Sequence, residues 1–456
     1  MKATKWFLTT IITSLIFVAF STLFIVDVYG QNLSRGSNEY RTGSIYSYRA
    51  LGTPLDLRTA NTAGMGLSGV AIYNGVAANF ANPAIWSRTV FSLGNGTMRT
   101  QTIDARNQNS TVTNGLLDAI NFQIVLPIKK NKLGVSASLT PLTRKNFANF
   151  NQGSIAAESI GSSNDLRYVN DNKGEGGLSK VELGVGYSLT ENISIGYAPA
   201  IIMGFFENSV ATNFSNPAYR PLTYEFTERQ FGLAHRFGVY AFKNGLLRSS
   251  DLFSFGVNLE LPVNLTAKDK VTATYTVLQG VPGNERLLQR ETDLAIDGRS
   301  GEGTMRLPLK VETGVLYQRT PALAFSAEWL YQAWSSFQDR QGSRDPLLVN
   351  RNRFAGGFQW IPSINARNVN FIKSIQYRAG VSHDSGYLNI NNTGITTRSA
   401  HFGFSIPARN SRSSVDIAFE YGLRGTTDNN LIEERFWTIK MSFNLAELMF
   451  FDRRFQ

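Results

Sequence analysis

The sequence predicts an all-β fold, a transmembrane antiparallel β-barrel of about fourteen strands with an N-terminal plug in its lumen. Three observations predict it. Apolar and polar residues alternate with period two over most of the chain. The connections between the alternating segments are short and long by turns. A single long apolar stretch lies at the N-terminus, ahead of a candidate cleavage site.

That apolar stretch comes first. Lys2 and Lys5 precede Trp6 to Val26, and Val28-Tyr29-Gly30 then offers a cleavage site before Gln31. This is the plan of a secretory signal peptide over residues 1–30. The competing reading is an uncleaved anchor. After residue 30 no window reaches about 18 consecutive apolar residues, so no later segment reads as a membrane-spanning helix.

Residues 31–88 do not alternate and are rich in Gly, Asn, Ser and Ala. They read as the plug, and residues 89–456 as the barrel with a short C-terminal tail. The alternating segments run near 89–99, 117–128, 132–141, 181–189, 193–205, 229–242, 252–265, 305–318, 322–334, 352–361, 375–385, 398–407, 414–423 and 435–445. In one of them Val415, Ile417, Phe419 and Tyr421 alternate with Asp416, Ala418 and Glu420. One greasy face and one polar face define a sheet with lipid on one side. The connections at 100–116, 142–180, 206–228, 266–304, 335–351, 386–397 and 424–434 are the long ones and belong on the outer side. Trp334, Trp360, Trp437 and Tyr421 fall near strand ends, where interfacial aromatics belong. A large secreted β-protein is the competing fold.

Composition agrees. Hydrophobic residues are 42% and charged residues 17%, too polar for a helical membrane protein yet suited to strands with one lipid face. With no cysteine, disulfides, thiolate zinc sites and thiol catalysis are excluded. The formal charge is +11; removing residues 1–30, which carry +1, leaves +10. The basic residues are scattered, which argues for loops, lumen and anionic lipid head groups and against nucleic acid.

The polar phase of the strands carries Glu260, Lys310, Glu312, Glu328, Arg378, Asp416, Glu420 and Lys440. Arg or Lys on the lipid face costs about 2–4 kcal/mol at midplane, so these charges belong in the lumen. They either pair with plug residues or line a ligand path.

Two tempting motifs fail. Gly64-Met65-Gly66-Leu67-Ser68-Gly69 matches a dinucleotide fingerprint, but no acid lies between Asp56 and Asp104 and Asn74-Gly75 marks a turn, not a helix. His383-Asp384-Ser385 holds triad residue types, but strand neighbours point to opposite faces. No cofactor, metal site or enzyme activity is expected.

Ala63-Gly64-Met65-Gly66-Leu67-Ser68-Gly69-Val70-Ala71, followed by Asn82-Pro83-Ala84, resembles the FadL-type family of outer-membrane transporters. The order of motifs is the family's, with a first strand at once after them. Leu307-Pro308, Trp334, Tyr377-Arg378-Ala379-Gly380 and Phe419-Glu420-Tyr421-Gly422 look like later family pieces. The resemblance covers the mature chain and is greatest to Bacteroidetes-type members, which share Ser34-Arg35. One departure is the C-terminus, where Phe455 is penultimate and Gln456 last.

The resemblance implies passive uptake of hydrophobic small molecules such as long-chain fatty acids. It implies insertion by the barrel assembly machinery and contact with outer-membrane lipids and lipopolysaccharide. It also implies lateral release through a gap at the third strand, here Leu133 to Pro141. Pro141 cannot donate to a ladder, and Gly134, Ser136 and Ser138 are small, so a wall defect is expected there. Pro141 simply ending the strand is the plainer alternative. An outer-loop ligand groove is expected from Leu142, Phe147, Phe150, Phe214 and Tyr219. The other role in reach is that of an accessory or shuttle barrel binding protein partners in type IX secretion.

Overall fold

A computed structural model describes residues 43–448, apart from 57–58, 109–110, 161–163, 217, 282–283, 295–300, 364–370 and 409–410. The signal peptide, Ser34-Arg35 and the tail with Phe455 and Gln456 lie outside these residues.

The main sheet has nineteen strands. One belongs to the plug, one is a hairpin arm, and three staves are each cut in two, which leaves fourteen staves. These are β1 (Ser92–Arg106), β2 (Thr111–Lys129), β3a (Leu133–Pro141) with β3b (Thr143–Ile155), β4 (Leu166–Ser188), β5 (Ile193–Phe214) and β6 (Leu222–Asn244). Then follow β7a (Leu252–Glu260) with β7b (Val263–Val281), the arm Asn284–Leu294, and β8a (Glu302–Leu307) with β8b (Lys310–Thr320). The last are β9 (Leu323–Gln332), β10 (Arg351–Trp360), β11 (Gln376–Asp384), β12 (Thr397–Pro407), β13 (Ser414–Arg424) and β14 (Glu433–Glu447). Every neighbour is antiparallel, and β1 pairs with β14 from Ser92↔Glu447 to Arg106↔Glu433. The barrel is therefore closed, which leaves lipid no row of unpaired backbone groups at the seam.

All fourteen expected segments are staves. The expected outer loops are not mostly loops. Much of 100–116, 142–180, 206–228 and 266–304 is strand. Strands β4, β5 and β6 have 22 or 23 residues against 9 or 10 for β9 to β11. The apolar belt marks where the membrane stops. Leu183 and Leu233 face outward and are 62% exposed, whereas further along the same strands the outward residues are Glu175 and Arg229. Above the belt, β3b, β4, β5, β6, β7b and the hairpin arm continue as a six-stranded sheet.

The plug lies inside, and nearly every residue from Thr59 to Ile72 is buried. Thr59 caps the single-turn helix α1 (Ala60–Ala63). Asn82 caps the 3₁₀ turn Pro83–Arg88, with its side chain accepting from Ala84 N and Pro83 at the first position. The Asn-Pro-Ala motif is thus a turn start, where a missing proline N–H leaves nothing unsatisfied. Over the outer mouth, Tyr46 and Leu51 of the plug pack with Leu178, Phe206, Trp334, Phe337, Tyr387 and Leu388. Trp334 is 2% exposed in this cap and is not an interfacial aromatic. The chain leaves β9 and turns inward through Trp334–Ser336, which carries the indole under the lid. Trp360 and Trp437 do face outward.

Candidate functional site

The plug meets the wall through charges and through glycines. Glu328 of β9 accepts three backbone hydrogen bonds, from Ser68 N at 2.6 Å, Gly69 N at 2.7 Å and Val70 N at 2.8 Å. Gly69 has φ +97°, a conformation that L side chains rarely adopt. The GMG-x-x-G stretch therefore makes an anion nest, and its anion is a wall carboxylate. The Gly66 carbonyl accepts a hydrogen bond from Arg353 Nη2, and the Cβ that Gly66 lacks would lie 2.5 Å from the His401 ring.

Asp56 is the second anchor. Its carboxylate is 2.9 Å from Lys310 Nζ and 2.6 Å from Arg351 Nη2. Arg351 Nε also donates to Asp384 at 3.0 Å, and Lys310 lies 3.2 Å from Glu312. Burial pushes the Asp56 carboxyl up, but Arg351 and Lys310 outweigh it and hold the group well below its ordinary value. A depressed folded pKa contributes stability that is complete above the ordinary carboxylate range. It is lost only as pH falls below that range toward the folded pKa. The plug should thus stay protected from protease at pH 5 and become susceptible only below about pH 4. Release between pH 7 and 5 would contradict this.

The third anchor is the pair Glu182 and Arg236, on β4 and β6. Arg236 Nε donates to Glu182 at 2.9 Å, and Nη1 donates to Phe80 O at 2.9 Å and Ala81 O at 2.6 Å. Lys180 lies 3.1 Å from Glu182 and 3.8 Å from Glu260. At the outer end Glu434 accepts from Ser44 Oγ at 2.7 Å and from Ile45 N at 2.8 Å.

The eight sequence-marked charges all occupy inward positions. Lys310, Glu312, Glu328, Arg378, Asp416 and Lys440 are buried, and Glu260 and Glu420 are half-buried. They do not form one cluster. Lys310, Glu312 and Glu328 serve the plug, while Arg378 donates to Ser405 and Gln359, and Asp416 accepts from Asn444. Asp56, Glu182, Arg236, Arg351 and Arg353 were missed. Glu182 and Arg236 stood on the polar phase of alternating strands, the signal that marked the other eight.

The wall is broken at the third strand. Pro141 pairs with Ser179 but Lys145 pairs with Gly176, so one residue is extra on β3. Leu142 sits at this bulge, and Gly176 opposite has φ +122°. Below the bulge β3a pairs with β2, and that ladder ends at Phe122↔Leu139. Above it, among the described residues, no ladder joins β3b to β2. The plug pairs with that edge instead, Thr53 with Arg144 and Pro54 with Thr143. Ser136 and Ser138 are buried at inward positions, with Ser136 Oγ accepting from Gln123. Gly134 admits the plug backbone, since a Cβ would lie 2.0 Å from Trp86 O.

The five expected groove residues are not brought together. Leu142 packs on the outer cap, and Phe147 faces inward against Tyr48 at 6.2 Å. Phe150, three residues on, takes the opposite face and is 64% exposed. Phe214 and Tyr219 pair with each other at 5.9 Å, at the far tip of the sheet. The expected groove assumed a loop; on a strand, an odd offset reverses the face.

A closed fourteen-stave barrel with an apolar outer belt and a lumen filled by its own N-terminal segment has the architecture of a plugged membrane-spanning β-barrel. A family model described as BamG matches residues 12–456, and the chain belongs to the BamG family. Among solved structures it is similar to a Pseudomonas aeruginosa FadL homologue, at 12% identity, covering 87% of this chain and 100% of that one, with TM-score 0.56. The Pseudomonas putida toluene transporter TodX gives 14% identity, 87% and 99% coverage and TM-score 0.50. The monoaromatic hydrocarbon channel CymD gives 14%, 87%, 98% and 0.50. No curated protein matched the sequence.

Proposed function

We propose that the protein is an outer-membrane channel for hydrophobic small molecules, such as long-chain fatty acids, with lateral release at the third strand. The observation that carries this reading is the break between β2 and β3b, with the plug's Thr53–Pro54 set against the freed edge. A two-residue pairing is a weak seam in an otherwise continuous ladder. Lateral exit keeps an acyl chain out of water, at about 0.8 kcal/mol for each buried CH₂. The solved FadL homologue, TodX and CymD support a channel reading through their fold and through what their names describe.

Restoring a regular third strand should close the route. Ser138→Val with Pro141→Val gives β3a a full complement of donors and stiff side chains. Fatty-acid uptake by cells carrying the double variant should fall about tenfold or more, with the barrel still heat-modifiable in gels. Unchanged uptake would sink the lateral route.

A second reading is favoured by the filled lumen. Two cavities between plug and wall measure about 130 and 70 Å³, against about 300–1,000 Å³ for ordinary ligand pockets. In this reading the barrel is a protein-binding subunit, either of the barrel assembly machinery, to which the family's designation points, or of type IX secretion. Native mass spectrometry of protein extracted from its own membrane separates the two. A retained apolar adduct supports the channel, and a stoichiometric protein partner without one supports the subunit.

A further inference from the structure

The outer wall carries a depression of about 920 Å³ across staves β7a to β13. It lies on the lipid side, not in the lumen. Its floor is the outward row Val315, Ala327, Gly356, Val381 and Ala400, which are successive register partners from β8b to β12. Three of these five are Ala or Gly, and a Cβ on Gly356 would find no heavy atom nearer than 3.9 Å. On the inner face of the same staves, Gly357, Gly380 and Gly403 lie in backbone contact with plug residues Gly64 and Met65.

The outer rim is different in chemistry. Trp329 and Phe354 stand beside His383, and His383 is the register partner of Arg398. Both His383 and Arg398 point outward and line the depression. They are the last outward residues of β11 and the first of β12, at the end of the barrel that carries the long connections. That is head-group level in the outer leaflet. Among the described residues no carboxylate forms an ion pair with Arg398.

We infer that this trench binds a phosphorylated glycolipid of the outer leaflet, lipopolysaccharide, with acyl chains on the Ala/Gly floor and a phosphate on Arg398 and His383. Planar guanidinium forks suit phosphate oxygens, and the neighbouring imidazole adds a donor at the same level. A floor kept low by Ala327, Gly356 and Ala400 gives acyl chains a surface to fill between larger neighbours. The site is separate from the lumen and from β3, so it stands or falls apart from the channel reading.

The test uses the full-length barrel in nanodiscs containing lipopolysaccharide or, separately, phosphatidylglycerol, with native mass spectrometry counting retained lipid. Wild type should retain lipopolysaccharide and lose phosphatidylglycerol. Arg398→Ala with His383→Ala removes the phosphate contacts, and Ala400→Phe fills the trench while leaving both in place. Each should lower lipopolysaccharide retention about tenfold or more, with heat-modifiable migration reporting an intact fold. Equal retention by wild type and both variants would overturn the site. So would equal retention of phosphatidylglycerol by wild type, or a second copy of the chain covering the trench in place of lipid.

Discussion

Arg236→Ala should destabilise the folded barrel by about 3–5 kcal/mol, measured by urea unfolding in detergent micelles or vesicles. Arg236 is 3% exposed and its partner Glu182 is 1% exposed. Truncation leaves the buried carboxylate with Lys180, 3.1 Å away, as the cation beside it. It also removes both donors from Phe80 O and Ala81 O, which lie just before the Asn-Pro-Ala turn. Unmet buried carbonyls add to the loss. Glu182→Leu with Arg236→Met tests the electrostatic part. Apolar replacement of a whole buried pair is often near neutral, so the double variant should recover much of the loss. What it fails to recover measures the two plug carbonyls together with the loss of Glu182 beside Lys180, which keeps Glu260 at 3.8 Å. A single variant within about 0.5 kcal/mol of wild type would mean that water reaches Glu182 and that the pair is not buried in solution.

The contrast between legible and illegible parts follows from what lipid does to a sequence. Within the membrane one face must be apolar, so Val415, Ile417 and Phe419 stand out against Asp416 and Ala418. Above the membrane both faces meet water or polar neighbours. Asn149, Phe150, Asn151 and Gln152 form a strand with no two-face contrast, as do Asn170, Asp171, Asn172 and Lys173, and both stretches read as loop. That error then misplaced Phe147 and Phe150 on one groove. The site charges on strands were legible because parity alone places them. Asp56 was not, since it stands in a stretch without periodicity and its partner Lys310 is 254 residues away. The glycine motif was visible, but its role depended on Glu328, a wall residue 260 positions from Ser68. Local pattern reports which face a residue takes; it does not report what the other end of the lumen supplies.

Gly380→Val should unseat the plug, while Gly356→Val on the neighbouring stave should not. A Cβ at position 380 would lie 2.1 Å from Met65 O and 2.6 Å from its carbonyl carbon. Neither is the end of a flexible side chain, so the plug backbone itself must move. It is held there by Glu328 on the one side and by the contact of Gly64 with Gly403 on the other, where a Cβ would meet a backbone Cα at 2.9 Å. Overpacking a rigid contact costs about 1–3 kcal/mol, and here the cost falls on the docking of one segment. The barrel ladder keeps its backbone pairs, because valine suits a strand, with a small shift at Gly356 O, which would lie 2.8 Å from the new Cβ. The Gly380→Val barrel should therefore fold, resist heat as wild type does, and conduct ions in planar bilayers through a lumen that the wild-type plug blocks. Protease should also reach the segment near Met65. Gly356 faces lipid, so valine there should leave conductance at the wild-type level. Equal, low conductance in both variants would mean that the plug adjusts locally and that the inward glycines do not set its seat.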